Sequence, residues 1–65
     1  MVYLRIQELA KNAGLNITTL ARRAELAYST AWGLWHGRVR QVDLRTLERV
    51  ARALGVKVGD LFGEE

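Results

Sequence analysis

Residues 16–38 decide how this chain folds: Asn-Ile-Thr-Thr-Leu-Ala-Arg-Arg-Ala-Glu-Leu-Ala-Tyr-Ser-Thr-Ala-Trp-Gly-Leu-Trp-His-Gly-Arg. The pattern predicts two short helices, residues 17–24 and 28–36, joined by a tight turn. Asn16 suits the N-cap position, because its side-chain oxygen can accept a hydrogen bond from an unpaired backbone N–H. Gly37 suits the C-terminal stop of the second helix. Alanines in both helices and in the turn allow close packing, which a helix-turn-helix unit requires if its second helix is to enter a groove.

The flanking segments also carry helical apolar patterns. A first helix is predicted over residues 2–13, a fourth over 44–54 after an N-cap at Asp43, and a short fifth over 58–62. The apolar faces of the first and fourth consist of Val2, Ile6, Leu9, Ala10 and Ala13, and of Leu44, Leu47, Val50, Ala51 and Leu54. The sequence therefore predicts an all-α fold, five helices around one core, forming a single domain over residues 1–65.

The composition excludes several classes of function. The 65 residues include no cysteine and one histidine, so we expect no disulfide, no metal site and no cofactor. No apolar run approaches the ~18 residues needed to cross a bilayer, and no signal peptide is visible, so we expect a cytoplasmic protein without membrane contact. No nucleophile with a matching base, no carboxylate cluster and no phosphate loop is present. We therefore do not expect an enzyme.

Positive charge is concentrated in the first part of the chain. Residues 1–40 carry six basic and two acidic side chains, a net charge of +4, whereas residues 41–65 carry a net charge of −1. A basic surface beside an exposed helix suits a polyanion such as DNA. A lightly basic, solvated surface is the alternative reading of the charge alone.

Several stretches together resemble one family. They are Gly14-Leu15-Asn16, Leu20-Ala21-Arg22-Arg23-Ala24, His36-Gly37-Arg38, Thr46 to Val56, and Asp60-Leu61-Phe62. Their order and spacing resemble the phage-repressor and Cro type of helix-turn-helix protein, also called the XRE family, over nearly the whole chain. The resemblance implies the lambda-repressor-like five-helix fold, double-stranded DNA as the partner, and a homodimer on a pseudo-palindromic operator. Most such proteins regulate transcription, and some are antitoxins or restriction-modification controllers.

The resemblance also implies roles for particular residues. Four positions in the second helix of the unit would reach base edges: Tyr28, Ser29, Trp32 and Gly33. Phosphate or minor-groove contacts would come from Asn16, Ile17 at the start of its helix, Arg22, Arg23, His36, Arg38 and Arg40. For Tyr28 the alternative is packing over Ile17, and for the charged side chains it is solvation. Trp32 lies on the outward side of its helix, where an exposed indole indicates a partner.

Trp35 supports a separate hypothesis about the core. Several relatives place a glutamate at this position and an arginine near position 10, which form an ion pair. This chain has Trp35 and Ala10, so we expect the indole to fill the space that the smaller residue leaves. Replacing a buried ion pair with well-packed apolar groups is often neutral or stabilising.

The sequence predicts a homodimer through Val56, Val58, Phe62 and the 39–42 loop, although the same side chains can instead close the core. We expect no small-molecule effector. The leading function is sequence-specific binding of double-stranded DNA by a transcriptional repressor. The alternative is a protein-interaction module or antitoxin-like partner with reduced base readout. Ile17, Ala27 and Gly33 favour it, since many relatives have glutamine, a hydroxyl cap and a long polar reader there.

Overall fold

The computed structural model describes residues 2–39 and 41–64. Along the chain it contains β1 (Val2–Leu4), α1 (Ile6–Asn12), α2 (Ile17–Ala24), α3 (Tyr28–His36), α4 (Leu44–Leu54), a 3₁₀ turn (Val58–Leu61) and β2 (Phe62–Glu64). The two strands form an antiparallel sheet, with Val2 opposite Glu64, Tyr3 opposite Gly63 and Leu4 opposite Phe62. In the part of the chain described, no helix is long and apolar enough to cross a membrane.

Local hydrogen bonds define both ends of α2. The Thr19 backbone N–H donates to Asn16 Oδ1, and the Asn16 backbone N–H donates to Thr19 Oγ1, both at 2.8 Å. This reciprocal pair is a capping box. At the other end Glu25 adopts the left-handed conformation, φ 57°, and the Leu26 N–H donates to the Ala21 carbonyl at 2.8 Å. The chain therefore leaves α2 in a fixed direction, and three residues separate α2 from α3.

The start of α3 has no side-chain cap. Ala27 occupies the N-cap position with extended backbone, and among the residues described no side chain accepts a hydrogen bond at this cap. The helix ends at Gly37, whose φ of 67° is strained for any residue with a Cβ. α4 is capped at both ends: the Thr46 N–H donates to Asp43 Oδ1 at 2.6 Å, and Gly55 terminates the helix at φ 72°.

The core draws one large, fully buried side chain from each helical element. These are Ile6, Leu20, Leu34, Val50 and Leu61. Trp35 is 9% exposed and belongs to the same buried cluster as Ala10, which is completely buried. Both residues are thus core residues, and the hypothesis that the indole fills the space beside Ala10 stays a prediction. Leu15 turns back onto the cluster, and its N–H donates to the Ala10 carbonyl at 2.8 Å.

The structure corrects the predicted ends of the chain. Residues 2–4 form a strand rather than the start of a helix over 2–13, and Val2 is 63% exposed instead of facing the core. The helix predicted over 58–62 is present as a single turn of 3₁₀ rather than α-helix, Val58–Leu61, and its predicted last residue, Phe62, begins β2. In the described residues the fold is thus four α-helices, a 3₁₀ turn and a small sheet, neither all-α nor five-helical. The reason is that β1 and β2 stabilise each other across nearly the whole chain, which a local pattern cannot show.

Two further side chains depart from the predicted apolar faces. Leu44, the first residue of α4, is exposed rather than inward, and Ala13 follows the end of α1 and is exposed as well. Both lie at helix ends, where the chain turns away from the core. The middle of α4 follows the pattern, since Leu47, Val50 and Ala51 are buried.

Candidate nucleic-acid interface

The amino end of α2 presents backbone donors to solvent. The capping box uses the N–H of Thr19, while helix geometry leaves the N–H groups of Ile17 and Thr18 without an acceptor in the helix. The Ile17 side chain is half-buried and packs against the core. Ile17 can therefore offer an anion its backbone N–H, at the positive end of the helix dipole, but not its side chain.

One face of α3 is exposed and largely aromatic. Tyr28 is 56% exposed and Trp32 is 39% exposed. Ser29 and His36 are exposed as well. The turn that fixes α2 against α3, together with the burial of Leu34 and Trp35, holds this face outward. Tyr28 does not bury itself over Ile17, so its ring is available to a partner.

Gly33 corrects the predicted set of base-contacting residues. Helix periodicity places Gly33 beside Ser29 and Trp32, but Gly33 is buried. The segment after α3 folds back over it: the Arg38 N–H donates to the Gly33 carbonyl at 2.8 Å. A Cβ added at Gly33 would lie 2.9 Å from Val39 Cγ1. Gly33 therefore makes room for Val39 and presents no surface to a partner.

Three of the predicted contact residues form a cluster at the end of α3. The Trp32 and His36 rings are tilted by 48°, with centroids 4.4 Å apart. The Arg38 guanidinium carbon lies 6.0 Å from the Trp32 ring centroid, within the range of a cation–π contact. The spacing of four residues between Trp32 and His36 was a sequence signal for the ring pair. The position of Arg38 depends on the turn at Gly37, and no local pattern predicts it.

A comparison with protein families decides what this arrangement belongs to. The family model described as the Cro/C1-type HTH DNA-binding domain matches residues 5–64. The chain belongs to this family. Its function is DNA binding, and the resemblance seen in the sequence is confirmed. Searches of curated proteins and of solved structures gave no significant match.

The remaining predicted phosphate contacts of this Cro/C1-type domain are dispersed. Arg22 and Arg23 are exposed in the last turn of α2, about 9–10 Å along the helix axis from Asn16. Arg23 lines a cleft of about 340 Å³ together with Arg49 and Arg52 of α4. Arg40 lies outside the described residues.

The residues predicted to join two Cro/C1-type domains differ in exposure. Val56 and Val58 are half-buried and pack against the core, as do Val39 and Val42 of the 39–42 loop. Phe62 is exposed on β2, opposite Leu4. The valines thus close the core at least in part, and Phe62 leaves more apolar surface available to a second copy.

Proposed function

We propose that this DNA-binding domain is a transcriptional repressor that inserts α3 into the major groove of double-stranded DNA. The observation that supports this most is the exposed face of α3 with Tyr28, Ser29 and Trp32, in a chain that matches the Cro/C1-type HTH DNA-binding domain. In the proposed docking, the phosphate-binding donors are the N–H groups at the start of α2 and the guanidinium of Arg38, which follows the turn at Gly37. A helix in the groove flanked by backbone contacts is how helix-turn-helix proteins dock.

The proposed roles follow the exposed atoms. Tyr28, Ser29 and Trp32 contact bases, whereas Asn16, the Ile17 N–H, His36 and Arg38 contact the sugar-phosphate backbone. Arg40 keeps its predicted backbone contact as part of the proposal. Arg22 and Arg23 add positive charge at the far end of α2 and steer DNA rather than fix its position.

The proposed functional unit is a homodimer that acts in the cytoplasm without a small-molecule effector. A short reading surface on one α3 recognises few base pairs, so two copies on half-sites about 34 Å apart provide the selectivity. Phe62 and the neighbouring strand supply the exposed apolar surface for this contact. Sedimentation of the free protein and of its complex with operator DNA measures the number of copies.

The first experiment is a selection from a random duplex library at about 150 mM salt, followed by titration of the selected and an unselected duplex. We expect a convergent, two-fold symmetric motif. Because each phosphate contact releases counterions, Arg38→Gln should lower the slope of log affinity against log salt concentration by about 1. Arg49→Gln removes the same charge on the exposed side of α4 and should change that slope less. Equal effects of the two substitutions would contradict the proposed docking.

The exposed aromatic pair on α3 supports one second candidate, a protein-interaction module or antitoxin-like partner. Tyr28 and Trp32 are residue types that often anchor protein interfaces. The absence of DNA binding at the salt concentration of the selection and at lower ones would favour this candidate. Trp32→Ala would then be the first variant with which to test binding of a protein partner.

A further inference from the structure

The outward face of α3 lacks the side chains that read bases through paired hydrogen bonds. Arginine or lysine recognises guanine in the major groove, asparagine or glutamine recognises adenine, and acidic side chains accept from cytosine. None of these residue types occurs between Tyr28 and Trp35. A serine hydroxyl can pair with any base and discriminates poorly. The chemistry that remains exposed on α3 is mainly aromatic.

The two exposed aromatic side chains of α3 lie on one side of the helix. Tyr28 and Trp32 lie four residues apart, on the same side of α3, and about 6 Å apart along its axis. That length corresponds to about two base-pair steps. The His36 ring centroid lies 4.4 Å from that of Trp32 and the Arg38 guanidinium carbon 6.0 Å from it, and both neighbours favour this orientation of the indole before DNA binds. Pre-organisation of this kind lowers the entropic cost of binding.

The fold also limits how far the readable surface extends. Val39 covers Gly33. The exposed surface that begins at Ser29 therefore does not extend to Gly33. A partner therefore meets Tyr28, Ser29 and Trp32 with His36 and Arg38 at one edge. This surface is suited to a few adjacent base pairs that offer an apolar group.

We infer that α3 selects thymine through its C5-methyl group, with Tyr28 and Trp32 packed against the methyls of adjacent thymines. The inference rests on the proposed function and specifies which bases the same surface reads. Thymine is the only base that presents a methyl group in the major groove. The operator half-site should therefore carry a short run of T·A pairs under α3. Any guanine that is required should lie outside that run.

The test replaces single thymines of the selected duplex by deoxyuridine, which differs only by the missing methyl group. We expect about fourfold weaker binding for each contacted methyl, the equivalent of one buried methyl group, at two or more adjacent positions. In Trp32→Ala the duplex with uracil at the Trp32 position should bind as well as the thymine duplex. Tyr28→Phe keeps the ring, and Thr30→Ala changes the flank of α3, so both variants should retain the uracil sensitivity. Circular dichroism checks that each variant is folded.

Two results would overturn the inference while leaving the proposed function intact. One is a convergent motif with an obligatory guanine under α3. The other is equal binding of thymine and uracil duplexes by the wild-type protein at every position. A selection that yields no sequence preference would overturn both the inference and the proposed operator binding. Convergence of the selected motif thus distinguishes a failure of the thymine inference from a failure of the proposed operator binding.

Discussion

At the residue scale, Gly33 is the position where the fold most changes the meaning of the sequence. A glycine inside a helix costs about 1 kcal/mol relative to alanine, so its presence requires a reason. The reason is Val39, whose Cγ1 would lie 2.9 Å from an added Cβ. The same contact directs the segment that carries Arg38. Gly33 thus makes room for the loop residue Val39 and offers DNA no exposed surface.

This contact predicts a coupling between the two residues. In a Val39→Ala background, Gly33→Ala should stabilise the protein by about 1 kcal/mol. Alanine has the higher helix propensity, and the Val39 methyl group that its Cβ would clash with is absent. With Val39 present the gain should be smaller, since the valine must shift. Urea unfolding of the four proteins measures the coupling. Equal gains in both backgrounds would mean that the sites are independent, as distant sites are.

At the scale of the element, α4 depends on a charged cap. The hydrogen bond from the Thr46 backbone N–H, at 2.6 Å from Asp43 Oδ1, holds the pKa of the Asp43 carboxyl below its ordinary value of 3.8. The Thr46 side chain and the nearby Arg45 act in the same direction. The charged form of Asp43 is therefore favoured in the folded state over the unfolded state.

The sign of this shift predicts a pH dependence. A depressed folded pKa contributes stability above the unfolded pKa and loses it as the pH falls through the folded pKa. Asp43→Asn keeps a cap oxygen but cannot titrate. The stability of wild type relative to Asp43→Asn should therefore decrease as the pH falls below about 4. Thermal melts between pH 7 and pH 2 measure this difference. A difference that is constant with pH would contradict the role of the Asp43 charge.

At the scale of the whole molecule, stability rests on very few large side chains. A domain of this length has a total free energy of unfolding of about 3–10 kcal/mol. Removing one buried aromatic side chain costs about 3–5 kcal/mol. One substitution can therefore remove most of the free energy of unfolding. Trp35, which is 9% exposed, is the residue on which to test this.

The two tryptophans of α3 provide a matched comparison. Trp35→Ala should unfold most of the protein near 37 °C, and Trp35→Phe should lower the melting temperature less. Trp32→Ala removes the same side chain from a position that is 39% exposed, so it should melt close to wild type while losing DNA affinity. Thermal melts and DNA titration of the three variants separate the role of Trp35 in stability from the role of Trp32 in DNA binding. A Trp35→Ala melt close to wild type would reject the packing role of Trp35.

Helices α2, α3 and α4 could be predicted from local sequence, because their ends depend on neighbouring residues. α2, α3 and α4 begin and end at the predicted residues, with the caps at Asn16 and Asp43 formed as predicted. The order of these motifs also identified the family. The assignments of base and phosphate contacts stay predictions, apart from the base contact assigned to Gly33, which its burial contradicts.

The features that join distant parts of the chain depend on tertiary contacts and could not be predicted from local sequence. The strands at Val2–Leu4 and Phe62–Glu64 pair across nearly the whole sequence, so a helical wheel drawn on either segment could not predict them. Val39 covers Gly33, and Arg38 approaches Trp32, because the loop folds back onto α3. Helix periodicity shows which side of a helix a residue occupies, but what covers that side depends on contacts that only folding brings together.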